Sequence, residues 1–449
     1  MTEKRAQFAT RLGVIATTVG SAVGLGNIWR FPYEAGVHGG GAFLLIDLLF
    51  IFVIGVPVIC AEFIIGRHTG SNVRGAFKRL APGKPWGVVG YIGILASLLI
   101  LSFYSVVAGW TLEYIYQSIT DFSGVHTAEG LHDQFDRFAQ SNWRPVMWTV
   151  VFLLCNYCIL SRGVRKGIEK MSNILMPLLF LILLIFAVNS LMMPEASRGL
   201  EFLFKPDFSK VTPSVLLGGM GQAFFSLSLG LGCLITYSSY FKKDTPLVRT
   251  AFTTAGLDTL VSILAGVIIF PAVFTFGQEP AAGPKLVFEI LPSIFSNLEG
   301  GVIWSTFFFV LLFLASLTST ISMSEISIAY FVEEFGMRRR KATALNFAIA
   351  LVFGSLCALS FGCMSDFTIC GMTLFNLFDY LSSNILLPVG GMIISVFVGW
   401  VLDRAVLKEE LGSPAGPLMR FVVRAIVFCL RYVAPICIGM VFVFGLGIF

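Results

Sequence analysis

Apolar positions in this chain do not alternate as in a strand, nor mark one stripe of a helix. They form eleven long runs, at about 12–36, 42–66, 88–117, 146–160, 168–193, 213–241, 248–277, 302–334, 343–361, 372–402 and 420–447. A helix that crosses a bilayer needs about 20 such residues. All but the fourth run reach or approach that length. Hydrocarbon offers no partner for a bare backbone, so spans of this kind are helical. The pattern therefore predicts an all-α polytopic membrane protein.

Composition agrees with that reading and closes other routes. Apolar residues are 56 % of the 449, glycines number 45, and charged residues are 13 %, against about 25 % in soluble domains. A soluble enzyme, a disordered chain and a nucleic-acid binder are excluded. The net charge of +5 lies in short loops between the runs. With the N-terminus in the cytoplasm, 23 Lys and Arg residues fall inside and six outside. This bias sets orientation and predicts an external C-terminus. Residues 1–11 are too short and polar for a cleavable signal peptide. The nine cysteines sit mostly in apolar runs, as packing residues. Cys155 and Cys158 lack the second pair that a metal site would need. The loop at about 118–145 carries His126, Glu129, His132, Asp133 and Asp136. It reads as a solvated loop, with a metal site as the alternative.

Two runs are interrupted near mid-membrane. The first reads Gly20-Ser21-Ala22-Val23-Gly24-Leu25-Gly26-Asn27, and the sixth Ser226-Leu227-Ser228-Leu229-Gly230-Leu231-Gly232. Glycine costs about 1 kcal/mol relative to alanine inside a helix. Unwound backbone at this depth must line a cavity or hold a ligand; close packing of small residues is the alternative. Paired interruptions five spans apart point to the binding site of a transporter built from inverted repeats. An ion channel and an intramembrane enzyme are the rival classes. The four histidines (38, 68, 126 and 132) lie in loops or at span ends, poorly placed for an enzyme.

Six charges fall within the spans: Arg30, Asp47, Glu62, Asp258, Glu325 and Asp379. Each costs about 3 kcal/mol at the bilayer centre, so each is a functional candidate, with a structural ion pair as the alternative. Arg30 and Asp379 both lie toward the outside and could close over a midplane site.

The stretch Gly20 to Phe43, GSAVGLGNIWRFPYEAGVHGGGAF, resembles span 1 of the neurotransmitter:sodium symporter family. Gly221 to Gly230 resembles its span 6, and Leu317-Thr318-Ser319 its span 8. The likeness runs from Arg5 to about span 10. It implies a LeuT-like 5+5 inverted repeat with unwound spans 1 and 6, plus an eleventh span. The first repeat would be 1–193, the second 194–402, and the remainder 403–449 a cytoplasmic loop and span 11. The resemblance further implies a sodium-coupled importer of amino acids in the bacterial inner membrane, with two sodium ions, no other cofactor and no bond chemistry.

Carried over by motif, one sodium would meet Ala22, Asn27, Ser226 and Asp258. The other would meet the carbonyls of Gly20, Val23 and Ala315 and the hydroxyls of Thr318 and Ser319. Oxygen ligands suit a hard cation. The substrate carboxylate would sit near Ala22, Leu25, Gly26 and Tyr104, and its ammonium near Phe225, Ser226 and Ser228. Ser21, Ile100, Phe225, Leu231 and Met323 would line the side-chain pocket, with Ser319 close by. That neutral lining suits an apolar L-amino acid, aromatic ones among the candidates. Arg30 and Asp379 would form the outer gate. Arg5, Glu333 and Tyr240 would form the inner one, with Phe8 standing where the family has Trp and packing more weakly. Gly167 and Pro177, nine residues apart between them, would let span 5 open locally. Asp47 occupies a family chloride-site position, as does Ser262. An Asp is hostile to an anion, so transport is expected to be independent of chloride. Asp47 would then be protonated, or share a proton or sodium with Asp258.

Overall fold

The computed structural model describes residues 6–120, 128–277, 287–288, 291–296, 300–412 and 416–447. Arg5 and His126 lie outside them, as do the side chains of Glu129 and His132. Among the described residues, eight helices are long and apolar enough to cross a bilayer, and two bent pairs raise this to ten. Span 6, in two pieces at Pro213–Ser226 and Cys233–Ser238, completes the expected eleven.

Span 1 runs as Arg11–Ala22 and then Gly26–Val37, with a bend of 53° between them. Thr10 caps its start by accepting from the Gly13 N–H at 2.9 Å. Span 2 is Gly41–Thr69, span 3 Pro85–Thr120, span 5 Val164–Leu191 and span 7 Leu247–Thr275. Spans 8, 9, 10 and 11 are Gly301–Phe335, Arg339–Leu359, Leu374–Val401 and Pro417–Gly445. Span 4 is shorter, Arg144–Leu160. It follows the helix Ala128–Ala139, part of the loop expected outside. A small antiparallel pair, Thr368–Ile369 with Met372–Thr373, joins spans 9 and 10.

The first half of span 1 is wrapped by spans 5, 7 and 8, while span 3 lies along span 8. One contiguous apolar core runs through these helices. Span 11 buries only 22 % of its apolar window and is peripheral. Phe8, where the family has Trp, is nonetheless packed into the core. Its side chain is 1 % exposed and meets the edges of Tyr237 and Tyr240.

Candidate substrate and sodium site

The interruption in span 1 is two residues long, Val23 and Gly24. Gly24 has to be glycine there. A Cβ would lie 2.6 Å from Ser319 Oγ and 2.8 Å from the Tyr104 hydroxyl oxygen. The interruption in span 6 is longer, Leu227 to Gly232. Gly230 and Gly232 have φ of 83° and 79°, and Ser228 has 52°. A side chain at Gly230 would also run into the Leu387 carbonyl, 2.3 Å away. Glu62 of span 2 accepts the Gly230 N–H at 2.9 Å. It thus satisfies backbone that the break leaves bare. The sequence marked Glu62 as an intramembrane charge but not this role.

The two breaks meet in a midplane cavity lined by Ala22, Gly24, Gly26, Ile100, Tyr104, Phe225, Ser226, Ser228, Leu231, Ser319, Met323 and Leu387. Ten of these were expected from sequence; Gly24 and Leu387 were not. In this conformation the cavity is about 30 Å³, space for about two waters. A larger ligand requires the walls to part. Leu25 and Ser21 stand behind the lining. The Leu25 N–H donates to the Tyr104 hydroxyl at 3.0 Å, and the Ser21 carbonyl accepts from Ser228 Oγ at 3.2 Å.

One wall gathers oxygens around Asn27. Its side-chain nitrogen lies 2.9 Å from Ser226 Oγ, 2.8 Å from Asp258 Oδ1 and 3.0 Å from Ser262 Oγ. Ser226 Oγ donates to Asp258 Oδ2 at 2.7 Å. Asn27, Ser226 and Asp258, expected to hold one sodium, are thus one buried polar cluster. Ala22 lines the adjoining cavity. Amide nitrogen and oxygen exchange places by a simple flip. As placed, Asn27 Oδ1 accepts the Gly24 N–H at 3.0 Å; turned over, Asn27 would give up that bond and add an oxygen to the set, which is the donor chemistry of a hard cation. Gln222 joins the neighbourhood by donating to the Gly26 carbonyl at 3.0 Å. It lay inside the span 6 motif but was given no role.

The second set also converges. Ser319 Oγ donates to the Val23 carbonyl at 2.9 Å, and Thr318 Oγ1 to the Ala315 carbonyl at 3.0 Å. A Cβ on Gly20 would stand 3.4 Å from Thr318 Cβ. The first set meets span 1 just after its break, at Asn27, and the second before and within it, at Gly20 and Val23. Asp47 is buried, and its Oδ1 has no hydrogen-bond partner.

The outer gate residues are arranged differently from the pair expected. Arg30 bonds Glu34 at 3.4 Å and stacks over the Phe225 ring, its guanidinium carbon 4.5 Å from the centroid. Asp379 is exposed and accepts from Ser383 Oγ at 2.9 Å. The two do not pair here, because Arg30 has nearer partners on its own helix and in the cavity wall. At the other end Glu333 accepts the Asn72 N–H at 2.7 Å. The Tyr240 hydroxyl donates to Glu325 at 2.7 Å, and Arg339 grips both oxygens of Glu325 at 2.8 and 2.6 Å. Glu325 was flagged as a buried charge, but sequence did not supply its partner.

The arrangement makes no nucleophile–base set; it is a binding site between broken helices. The model of the sodium:neurotransmitter symporter family matches residues 5–124 and 125–449. The chain belongs to that family. A sodium-dependent transporter of Bacillus subtilis is 38 % identical over 449 residues, covering 99 % of each chain. One from Haemophilus influenzae is 37 % identical with the same coverage. The crystal structure of MhsT in complex with L-phenylalanine is similar with a TM-score of 0.89 and 44 % identity, covering 98 % of this chain and 99 % of that one. The fold is LeuT-like, and the protein is a sodium-coupled multi-pass membrane transporter, not an enzyme.

Proposed function

We propose that the transporter imports an apolar L-amino acid, aromatic ones included, with two sodium ions and no chloride. The observation that carries this is the cavity wall of Ile100, Phe225, Leu231, Met323 and Leu387, which contains no charge. The polar end of the same cavity, at Gly24, Gly26 and Tyr104, suits a carboxylate. Similarity to MhsT, whose structure holds L-phenylalanine, supports the same class. One methylene in such a wall changes selectivity by about 1–3 kcal/mol, so a range of apolar side chains is expected.

Sodium and substrate bind together at the midplane. Arg30 and Asp379 then close the outside, and the end bearing Arg5, Glu333 and Tyr240 opens. The loops rich in Lys and Arg face the cytoplasm of a bacterium, with the C-terminus outside. Asp258 supplies the negative charge that chloride gives elsewhere.

The test is uptake of labelled L-phenylalanine into proteoliposomes against a panel of amino acids, with sodium held constant and chloride exchanged for gluconate. Competition by leucine, phenylalanine and tryptophan, indifferent to gluconate, is expected. Competition by glutamate or lysine alone would overturn the substrate class. Loss of uptake in gluconate would overturn the role of Asp258.

A further inference from the structure

A second cavity, of about 280 Å³, lies away from the transport site. It opens between the start of span 1 and the start of span 7. Arg11, Val14 and Ile15 form one side, and Arg249, Thr250 and Thr253 the other. Both arginines are exposed. Neither has an ion pair or side-chain hydrogen bond among the described residues, although carboxylates hold Arg67, Arg74 and Arg339 nearby on the same end. Two unneutralised guanidinium groups facing one hollow form an anion site, and the planar fork suits phosphate oxygens. Thr245 and Pro246 complete the lining, and of the three threonines Thr250 and Thr253 add no donor. Thr250 and Thr253 already donate to the carbonyls of Pro246 and Arg249, both at 2.9 Å. Charge therefore carries the recognition.

The residues beside the lining bear on what kind of anion enters; neither Leu12 nor Phe252 lines the cavity itself, and Phe252 stacks on Phe52 of span 2. Leu12, beside Arg11, is 63 % exposed, and Phe252, one turn along span 7, is 39 % exposed. Both belong to membrane spans and adjoin lining residues in sequence, so they offer hydrocarbon contact beside the charged mouth. A free phosphate would use only the mouth; a lipid would use both parts. The surrounding loops are also the basic ones, and such loops concentrate anionic lipid. We propose that this cavity binds the phosphodiester headgroup of an anionic glycerophospholipid, with Arg11 and Arg249 on the phosphate and the acyl chains along Leu12 and Phe252. Because Arg11 opens the helix that leads to the transport site, the lipid would also brace that helix.

The experiment is native mass spectrometry of the full-length protein titrated with phosphatidylglycerol, with phosphatidylcholine, and with inorganic phosphate as competitor. The first phosphatidylglycerol should bind the parent about 30-fold more tightly than it binds the Arg11→Gln, Arg249→Gln double variant, from about 1 kcal/mol per basic residue near the surface. An Arg11→Lys, Arg249→Lys variant should keep most of that affinity. Equal binding of phosphatidylcholine, or an unchanged affinity in the Gln variant, would overturn the proposal. Full displacement by millimolar inorganic phosphate would overturn the lipid as occupant. Should the Gln variant not fold, a photoreactive phosphatidylglycerol applied to the unaltered protein must label residues 11–15 or 249–253. Labelling elsewhere alone would equally refute the site.

Discussion

The two ends of this transporter are held in different ways. At the end rich in Lys and Arg, carboxylates bind partners distant in sequence. Glu325 is gripped by Arg339 and Tyr240. Glu169 of span 5 accepts the N–H groups of Ala9 and Thr10 at 2.9 and 3.1 Å. Glu410 takes Arg67 at 2.5 Å. At the opposite end, Arg30 and Asp379 make their hydrogen bonds to residues four positions along their own helices, Arg30 also stacks on Phe225 of span 6, and buried Glu113 ties span 3 to Arg144 and Trp148 of span 4. Long-range pairs hold helices against one another; pairs within a helix do not. Several carboxylates thus tie helices together at the Lys- and Arg-rich end, whereas at the other end the two gate candidates, Arg30 and Asp379, are not tied to each other.

Breaking the Glu325 tie should have the largest effect. Glu325→Gln leaves Arg339 without a counter-charge and should cost about 3 kcal/mol, the lower range for a broken buried pair. A cysteine replacing Ser21 should then react faster with reagents from the Lys- and Arg-rich side. Unchanged labelling would show that Glu325 does not hold that end shut.

Next is Glu169→Gln, which removes a charged acceptor from the start of span 1. A loss of about 2 kcal/mol is expected, from hydrogen bonds to a charged group. Amide exchange at residues 9–13 should accelerate by about 30-fold. Protection equal to the parent would mean that Phe8 packing alone anchors the segment.

Between the two ends, Thr318→Ala with Ser319→Ala should weaken substrate binding at low sodium by about tenfold, because coupling between two ligands is reciprocal. Normal binding at low sodium would sink the second ion site.

The smallest effect on stability should come at the opposite end. Asp379→Asn should change the thermal midpoint very little, since exposed contacts are worth under about 0.5 kcal/mol. Uptake should nevertheless fall more than equilibrium binding. Equal losses in both would argue that Asp379 shapes the site and does not gate it.

Much of this contrast could be read before any coordinates. Runs of apolar residues are a local property, so ten spans followed from length alone, and Gly-Leu-Gly repeated in runs 1 and 6 disclosed the breaks. The oxygen sets around Asn27 and around Ser319 were legible because the family motif carries them together. The expected pairing of Arg30 with Asp379 is absent here. Arg5, outside the described residues, leaves its pairing with Glu333 untested.

The sequence by itself determined the membrane class, the positions of the breaks and the types of atom available to a cation. A charge in a span announces itself by its cost, which is why Glu62, Asp258 and Glu325 were visible at once. Only the tertiary structure decided their partners: Gly230 for Glu62, Arg339 and Tyr240 for Glu325, the Ala9 and Thr10 amides for Glu169. It also brought Leu387 of span 10 into the cavity wall. Such choices depend on how helices far apart in the chain pack and turn toward each other, and no local pattern of residues records that.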